Sequence, residues 1–538
     1  MAASLRTAGA AAWLALAAAP LLAQQPAPAP APAPAQGAAA APALVAERLD
    51  LSVLQRIRDE GITRSHVDSL AEYLTDVIGP RLTGSTGMRR ADEWVTQTFR
   101  QWGLANVAVE PWDSVFGRGW ERVNYSGRIL EPFVEPLSAQ PLAWSGSTRG
   151  TVTCPVVILD VQDTTQLAAY AGKLKGACVL RGAPREIPPE FEPIVRRFSA
   201  DSLLAPPAPP RPPQGPFANL TPEQRRERFA QMRAVANRVN TWLRSQQAAA
   251  ILQPSNWTYG VLLVQGGPEA GPARDSAGYE PLPALVVQHE EYGTMYRNVR
   301  AGRTVRLELS VQNRFLNDDP RSYNAFGEIP GTDKAGEVVM IGGHLDSWHS
   351  GTGATDNGAG SVVMMEAMRI LRALNLPLRR TVRIGLWSGE EEGLLGSRAY
   401  VRKHAAELGQ ISAYLNVDNG TGRLRGIWDQ MDSLAIPVFE QVFAPLQDLG
   451  VVVVRHGNTG GTDHLSFVAA GVPGFNYIQD PIEYGIRTHH SNVDTYERLQ
   501  IDDLKQAATV VAWTVYVLAN RDDMMPRVAA AARQGFGF

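Results

Sequence analysis

The run "IGGHLDSWHSGTGATDNGAG", Ile341 to Gly360, sets His344, His349, Asp346 and Asp356 among glycines and other small residues. Imidazole and carboxylate are metal-ligand groups. Glycine loses more conformational freedom on folding than any other residue. A glycine-rich loop around such groups therefore suggests backbone that must approach something closely, and the ligand types suggest a cation. Three later runs carry similar chemistry: "SGEEEG" with Glu390, Glu391 and Glu392, "LNVDNG" with Asp418, and "THHSNVDT" with His489, His490 and Asp494. Each alone has an ordinary reading, because a lone polar residue at a strand end is commonly structural and three glutamates commonly make a solvated surface. The combination is different. Acids placed directly after the apolar "RTVRIGLW" face burial and mutual repulsion, which a bound cation relieves. Two histidines and three carboxylates are too many for one catalytic zinc, but they suit two metals sharing a bridging carboxylate.

The elements that must position these groups alternate from Arg303 onward. "EVVMIGG", "RTVRIGLWS", "ISAYLNVD", "VVVVRH" and "PGFNYI" read as strands. Helices are expected in "SVVMMEAMRILRAL", "GSRAYVRKHAAEL", "IPVFEQVFAPLQDLG" and "IDDLKQAATVVAWTVYVLAN". This alternation predicts an α/β fold with a mixed, largely parallel sheet covered by helices on both faces. Ligands of such sheets bind beyond the C-terminal ends of the strands, where the polar runs fall. Before it, helices are expected in 51–61, 65–79 and 86–103. From about Val123 the texture changes to short β-branched runs: "TVTCPVVILDV", "GACVLRGA", "AAAILQ", "YGVLLVQGG" and "PALVVQHEE". A Pro-rich excursion, "APPAPPRPPQGP", interrupts them. A helix follows, capped by Thr221, Pro222 and Gln224, with an apolar stripe of Phe229, Met232, Val235, Val239, Trp242 and Leu243.

The 538 residues suffice for two or more domains. A net charge of −3 offers no basic excess for nucleic acid. At the N-terminus, Arg6 precedes an Ala/Leu-rich run ending near Ala23, the layout of a secretory signal peptide. "PAPAPAPAPAQGAAAAPA" then reads as an extended spacer. The expected organisation is a signal peptide (1–23), a linker (24–43), a first catalytic part (44–122), a β-rich insert (123–301) and a second catalytic part (302–538). The protein is expected to be secreted or periplasmic, without stable membrane insertion after cleavage. Its two cysteines, Cys154 and Cys178, admit either a disulfide formed on export or two buried thiols. Export favours the bond.

In order and spacing, "GGHLDS", "GATDNGAG", "SGEEEGLLGS", "NVDNG" and "HHSNVDT" resemble the co-catalytic di-zinc aminopeptidase family, metallopeptidases like bacterial leucine aminopeptidase and plasma glutamate carboxypeptidase. The resemblance implies two Zn2+ ions. It assigns His344 and Asp418 to one, Glu391 and His490 to the other, and Asp356 to the bridge. Alignment on "GLLGS" makes Glu390 the general base and leaves Glu392 in a variable slot. Spacing to the "DT" pair selects His490 over His489. Asp346 is expected to orient His344 by accepting its other ring N–H, with Asp494 acting similarly in its own loop. No role is expected for His349 beyond loop polarity. The 123–301 segment resembles, in texture, the protease-associated domain inserted in some members.

The implied activity is hydrolysis of terminal peptide bonds in dipeptides or short peptides, by an aminopeptidase or carboxypeptidase. Two rivals are weighed: a glutaminyl-cyclase-like acyltransferase using a single zinc, and a non-catalytic receptor-like binding protein. The full set of five ligand residues argues against both. Oligomeric state has no signature in the sequence.

Overall fold

The computed structural model describes residues 46–161, 163–205 and 220–528. The expected signal peptide, the Pro/Ala linker and all but the first residue of the Pro-rich excursion lie outside them. Among the described residues no helix is long and apolar enough to cross a membrane.

The chain opens with helices at Leu51–Arg58, Val67–Glu72 and Thr86–Gln101. Asp50 caps the first by accepting from the amides of Ser52 and Val53, and Ser85 caps the third through the amide of Met88. Each cap satisfies donors that have no partner inside the helix.

The first sheet has eight strands, in the order Ala105–Pro111, Tyr323–Ile329, Arg380–Trp387, Lys334–His344, Ile411–Asn416, Gly474–Gln479, Leu424–Trp428 and Val453–Arg455. Four central strands, Arg380–Trp387 through Gly474–Gln479, run parallel to one another. The antiparallel pairings lie toward the edges. Both faces are buried. Val339, Ile341, Leu386 and Leu415 point into one cluster, while Met340, Trp387 and Tyr414 point into another. This period-2 split of an almost wholly apolar run is what a doubly covered sheet requires. Helix Ala359–Ala373 packs against the closing helix Ile501–Asn520 on one side, and Leu395–Lys403 packs against His464–Ala469 on the other.

A second eight-stranded sheet runs Glu135–Pro136, Gly119–Glu131, Arg306–Leu316, Val152–Leu159, Cys178–Arg181, Ala250–Pro254, Ala284–Val287 and Ala139–Pro141. It therefore begins before Val123 and takes in Arg306–Leu316, beyond Ala301. Gly119–Glu131 and Arg306–Leu316 pair along almost their whole length. Cys154 and Cys178, both fully buried on adjoining strands, form a disulfide. Helix His289–Arg300 covers one face through Tyr292 and Met295. Helix Pro222–Ser245, with the expected capping box at Thr221 and Gln224, covers the other. Only the C-terminal half of its apolar stripe is buried: Val239 and Leu243 lie in the core, whereas Phe229 and Met232 are exposed.

"YGVLLVQGG" departs from its expected role as a strand. Residues 261–266 make only isolated bridges, Leu263 to Ser491 and Gly266 to Ala143. An apolar run of this length looks like a buried strand whether it joins a sheet or is buried against a loop.

Candidate metal centre

The parallel register carries the polar loops to one edge. His344 is the last residue of Lys334–His344 and pairs with Trp387 on the neighbouring strand. Glu390 and Glu391 follow Trp387, and Asp418 follows the strand on the other side, Ile411–Asn416. Asp356 stands in the kinked turn before helix Ala359–Ala373, and His490 lies in the loop after Gly474–Gln479.

Two groups meet at Asp356. Its Oδ1 is 3.3 Å from His344 Nε2, which is itself 3.4 Å from Asp418 Oδ1. Its Oδ2 is 3.3 Å from His490 Nε2, which is 2.8 Å from Glu391 Oε2. Possible ligand atoms of His344, Asp356 and Asp418 all lie within 4.8 Å of one another, as do those of Asp356, His489 and His490. His489 is the poorer fit of the two neighbouring histidines. Its Nε2 is 3.8 Å from Asp356 and its side chain is 40% exposed, against 15% for His490. Glu390 stands apart from both groups, with Oε2 4.0 Å from His344 Nε2.

The donor set fits a cation. His344 Nε2, Asp356 Oδ2, Glu391 Oε1 and Asp418 Oδ1 are enclosed, yet none has a hydrogen-bond partner among the described residues. Buried polar atoms rarely go unpaired, and each costs about 1–3 kcal/mol when it does. Burial drives the Glu390 and Glu391 carboxyls well above the usual range, the first aided by Asp418 and the second by Asp356. Burial works against the charge of Asp356 too, but the neighbouring His344 and His490 rings hold it below the ordinary value. A multivalent cation would offset repulsion among these acids and occupy the open lone pairs.

The stretch 324–515 matches the model of Peptidase family M28. Carboxypeptidase Q from Mus musculus is 28% identical over 84% of this chain and 86% of its own. Carboxypeptidase Q from Homo sapiens is 28% identical over 84% and 85% respectively. Over this stretch the chain is similar to peptidase family M28. Among solved structures, a peptidase M28 precursor from Shewanella amazonensis shares 25% identity at a TM-score of 0.63, covering 89% of this chain and 98% of its own. BSAP, a zinc aminopeptidase from Bacillus subtilis, has the same fold at 20% identity and a TM-score of 0.54, over 85% of this chain and 95% of its own. The protein is thus a hydrolase of peptide bonds.

The packing around this site differs from expectation in several places. The ring N–H of His344 at Nδ1 is taken by the backbone carbonyl of Asp346 at 3.0 Å, and the Asp346 carboxylate lies farther off at 3.5 Å. That carboxylate instead accepts from the amides of Glu390 and Glu391, both at 3.3 Å, and from the Thr83 hydroxyl at 3.1 Å. Asp346 thus anchors the glutamate loop as well as the ring, using different atoms for each. Asp494 accepts from the amides of Thr355 and Asp356, at 2.6 and 3.1 Å. It holds the Asp356 loop rather than its own.

The glycines serve contacts between protein segments. A Cβ on Gly360 would stand 2.1 Å from the Val417 carbonyl oxygen, and one on Gly351 would stand 2.6 Å from that of Asp494. Their absence lets the Asp356 turn sit against the Asp418 and Asp494 loops.

His349 is buried, with Nε2 donating to the Pro141 carbonyl at 2.7 Å and its ring edge-on to Trp120. It joins the ligand loop to the second sheet, so it is not mere loop polarity. Glu392 is also enclosed, and burial together with the Asp346 charge raises its carboxyl to about 8.

Arg81 carried no sequence signal. Fully buried, it donates to the carbonyls of Leu345 (2.6 Å), Gly79 (3.0 Å), Thr352 (2.6 Å) and Gly353 (2.8 Å). Burial lowers its pKa to about 10, against the opposing pull of Asp494 and Asp346. Only the long-range fold makes it the brace of the His344–Asp356 loop.

Proposed function

We propose that this protein is an exported zinc exopeptidase that uses two Zn2+ ions to remove terminal residues from dipeptides and short peptides. One observation carries the reading: Asp356 turns one oxygen to His344 and the other to His490, at 3.3 Å each. That is the arrangement a bridging carboxylate needs. His344 and Asp418 would hold one ion, and Glu391 and His490 the other. When bound, such a pair polarises the scissile carbonyl and acidifies the attacking water. Glu390 takes the proton from that water and returns it to the leaving amine. Its side chain is 10% exposed, so substrate and water can reach it. Asp346 keeps Glu390 and Glu391 in register through their amides, and Asp494 keeps Asp356 turned inward. A cyclase-like single-zinc reading leaves one of the two groups that meet at Asp356 without a purpose, and a receptor-like reading leaves Glu390 without one.

Restriction to chain ends is supported by what borders the site. Trp144, joined to the second sheet's edge, packs edge-on to Trp348, which in turn faces His490. Residues 261–266 lie along the His490 loop. Together with the Cys154–Cys178 bond, the apolar leader supports export to an oxidising compartment. The relatives that cover both sheets are named carboxypeptidase Q, while the structural neighbour from Bacillus is an aminopeptidase. For a dipeptide the two actions coincide.

The test is mass spectrometry of a peptide ladder beside unfolded casein, with elemental analysis of the purified enzyme. Two zinc equivalents and shortening from one terminus are expected. Internal casein fragments at a comparable rate would make it an endopeptidase, and one zinc equivalent would reject the bridged pair.

A further inference from the structure

Of the residues proposed to bind metal, His490 has the least support from its own sheet. It sits in a loop with φ of +55°, a left-handed conformation that costs a non-glycine residue roughly 1–2 kcal/mol. Something outside the loop must hold it. Residues 261–266, the apolar run that forms no strand in the second sheet, supply that hold. The Val264 amide donates to the His490 carbonyl at 2.7 Å. Leu262 and Asn492 exchange two bonds: the Leu262 amide donates to the Asn492 side chain at 2.7 Å, and the Asn492 amide donates to the Leu262 carbonyl at 3.1 Å. Next to Val264, the side-chain nitrogen Nε2 of Gln265 lies 2.8 Å from His490 Nδ1. One short segment thus grips both the backbone and the ring of this residue.

We infer that Gln265 is a positioning residue for the metal centre: its side-chain carbonyl accepts the Nδ1–H of His490 and so presents Nε2, as a lone pair, to the ion shared with Glu391. The inference rests on the two-metal reading above. Nε2 is the ring atom that faces Asp356 and Glu391, so a metal bound there leaves the proton on Nδ1. A protonated Nδ1 requires an acceptor, and Gln265 can provide its carbonyl oxygen by turning the amide over. The two ends of an amide are interchangeable until another bond fixes them. Among the described residues no other hydrogen bond fixes this one. The two halves of the centre are then oriented by different means. His344 donates to a backbone carbonyl two residues away, whereas His490 depends on a side chain 225 positions away in sequence. The region around the second sheet becomes part of the metal site as well as a wall beside it.

The test uses the full chain loaded with zinc and dialysed against graded chelator, with retained metal counted by elemental analysis. Gln265 is solvent-exposed, so Gln265→Leu removes the acceptor without opening a cavity in the core. Loss of an outer-shell partner typically weakens metal affinity about 10–100-fold. Gln265→Leu should therefore release one of two zinc ions at about 10–100-fold lower chelator and keep the other at the wild-type concentration. Gln265→Glu, which retains an acceptor, should restore retention. Equal thermal unfolding of the three metal-free proteins is expected. Wild-type retention of both ions by Gln265→Leu would overturn the inference. So would failure of Gln265→Glu to rescue, or a melting change that accompanies the metal loss. A wild-type chain that takes up fewer than two zinc ions would instead overturn the two-metal reading on which the inference stands.

Discussion

His349 gives the protein an acid sensitivity that can be measured apart from catalysis. Burial lowers its pKa from 6.5 to about 3, and its Nδ1 has no hydrogen-bond partner among the described residues. Above pH 6.5 the ring is neutral in both folded and unfolded chains, and it contributes no pH dependence. Below that value the unfolded chain takes up a proton that the folded chain refuses. Stability should then fall by about 1.4 kcal/mol per pH unit down to the folded pKa. At pH 5 the deficit from this one residue is about 2 kcal/mol. The perturbation is His349→Gln, which can still donate to Pro141 but cannot titrate. Unfolding of the metal-free proteins in urea, followed at pH 7.5 and pH 5, isolates the effect from metal release. The substitution should cost some stability at neutral pH, yet lose about 2 kcal/mol less than wild type on acidification. Equal losses in the two proteins, or an NMR titration placing the His349 ring near its ordinary pKa, would refute the reasoning.

Three other perturbations follow from the site. Glu390→Gln should lower turnover about 10²–10⁴-fold while zinc content stays unchanged; near-normal turnover would show that the base lies elsewhere. Asp356→Asn should lower zinc retention more than any other single ligand change, because both proposed positions share this residue. Elemental analysis finding two tightly held equivalents would reject the bridge. Arg81→Met should cost more than about 3 kcal/mol, because four carbonyls lose a charged donor together. A shift in the urea midpoint worth less than about 1 kcal/mol would show that the brace is dispensable.

The central sheet was readable where a strand contains a long apolar run. Lys334–His344, Arg380–Trp387, Ile411–Asn416 and Gly474–Gln479 each include such a run, buried on both faces. The strands that make the sheet mixed were harder to see. Tyr323–Ile329 and Leu424–Trp428 carry asparagine, glutamate and arginine among their apolar residues, and Ala105–Pro111 alternates too weakly to stand out. Arg306–Leu316 was hidden for a topological reason, because its partner Gly119–Glu131 lies nearly two hundred residues earlier. In the site, side-chain types and spacing pointed to the residues that converge. They did not give the atoms: Asp346 meets the His344 ring with its backbone carbonyl, and Gln265 reaches His490 across the whole intervening chain. Contacts made by backbone atoms, or between distant segments, leave no trace in local pattern.

The division of labour between the two sheets follows from where rigidity is available. His344, Glu391 and Asp418 come directly off three adjacent parallel strands, so the hydrogen-bond ladder that builds the sheet also sets their spacing. His490 has no such ladder. Its loop is confined from two sides instead. On one side, the Gly351 backbone packs so tightly against Ser491 and Asp494 that no Cβ fits. On the other, 262–265 supply hydrogen bonds from the second sheet's side of the molecule. A metal centre that shares one aspartate between two halves tolerates little relative motion, since a displacement of either histidine changes both sides of Asp356. The segment beside Gln265 is therefore under two constraints at once. In the proposed function it borders the path by which a peptide reaches Glu390, and in the inference drawn from it the same segment keeps the His490 ring still. On that reading, changes there that reshape the approach for different substrates would be coupled to retention of metal, which would limit how far this border can vary without a compensating change at His490.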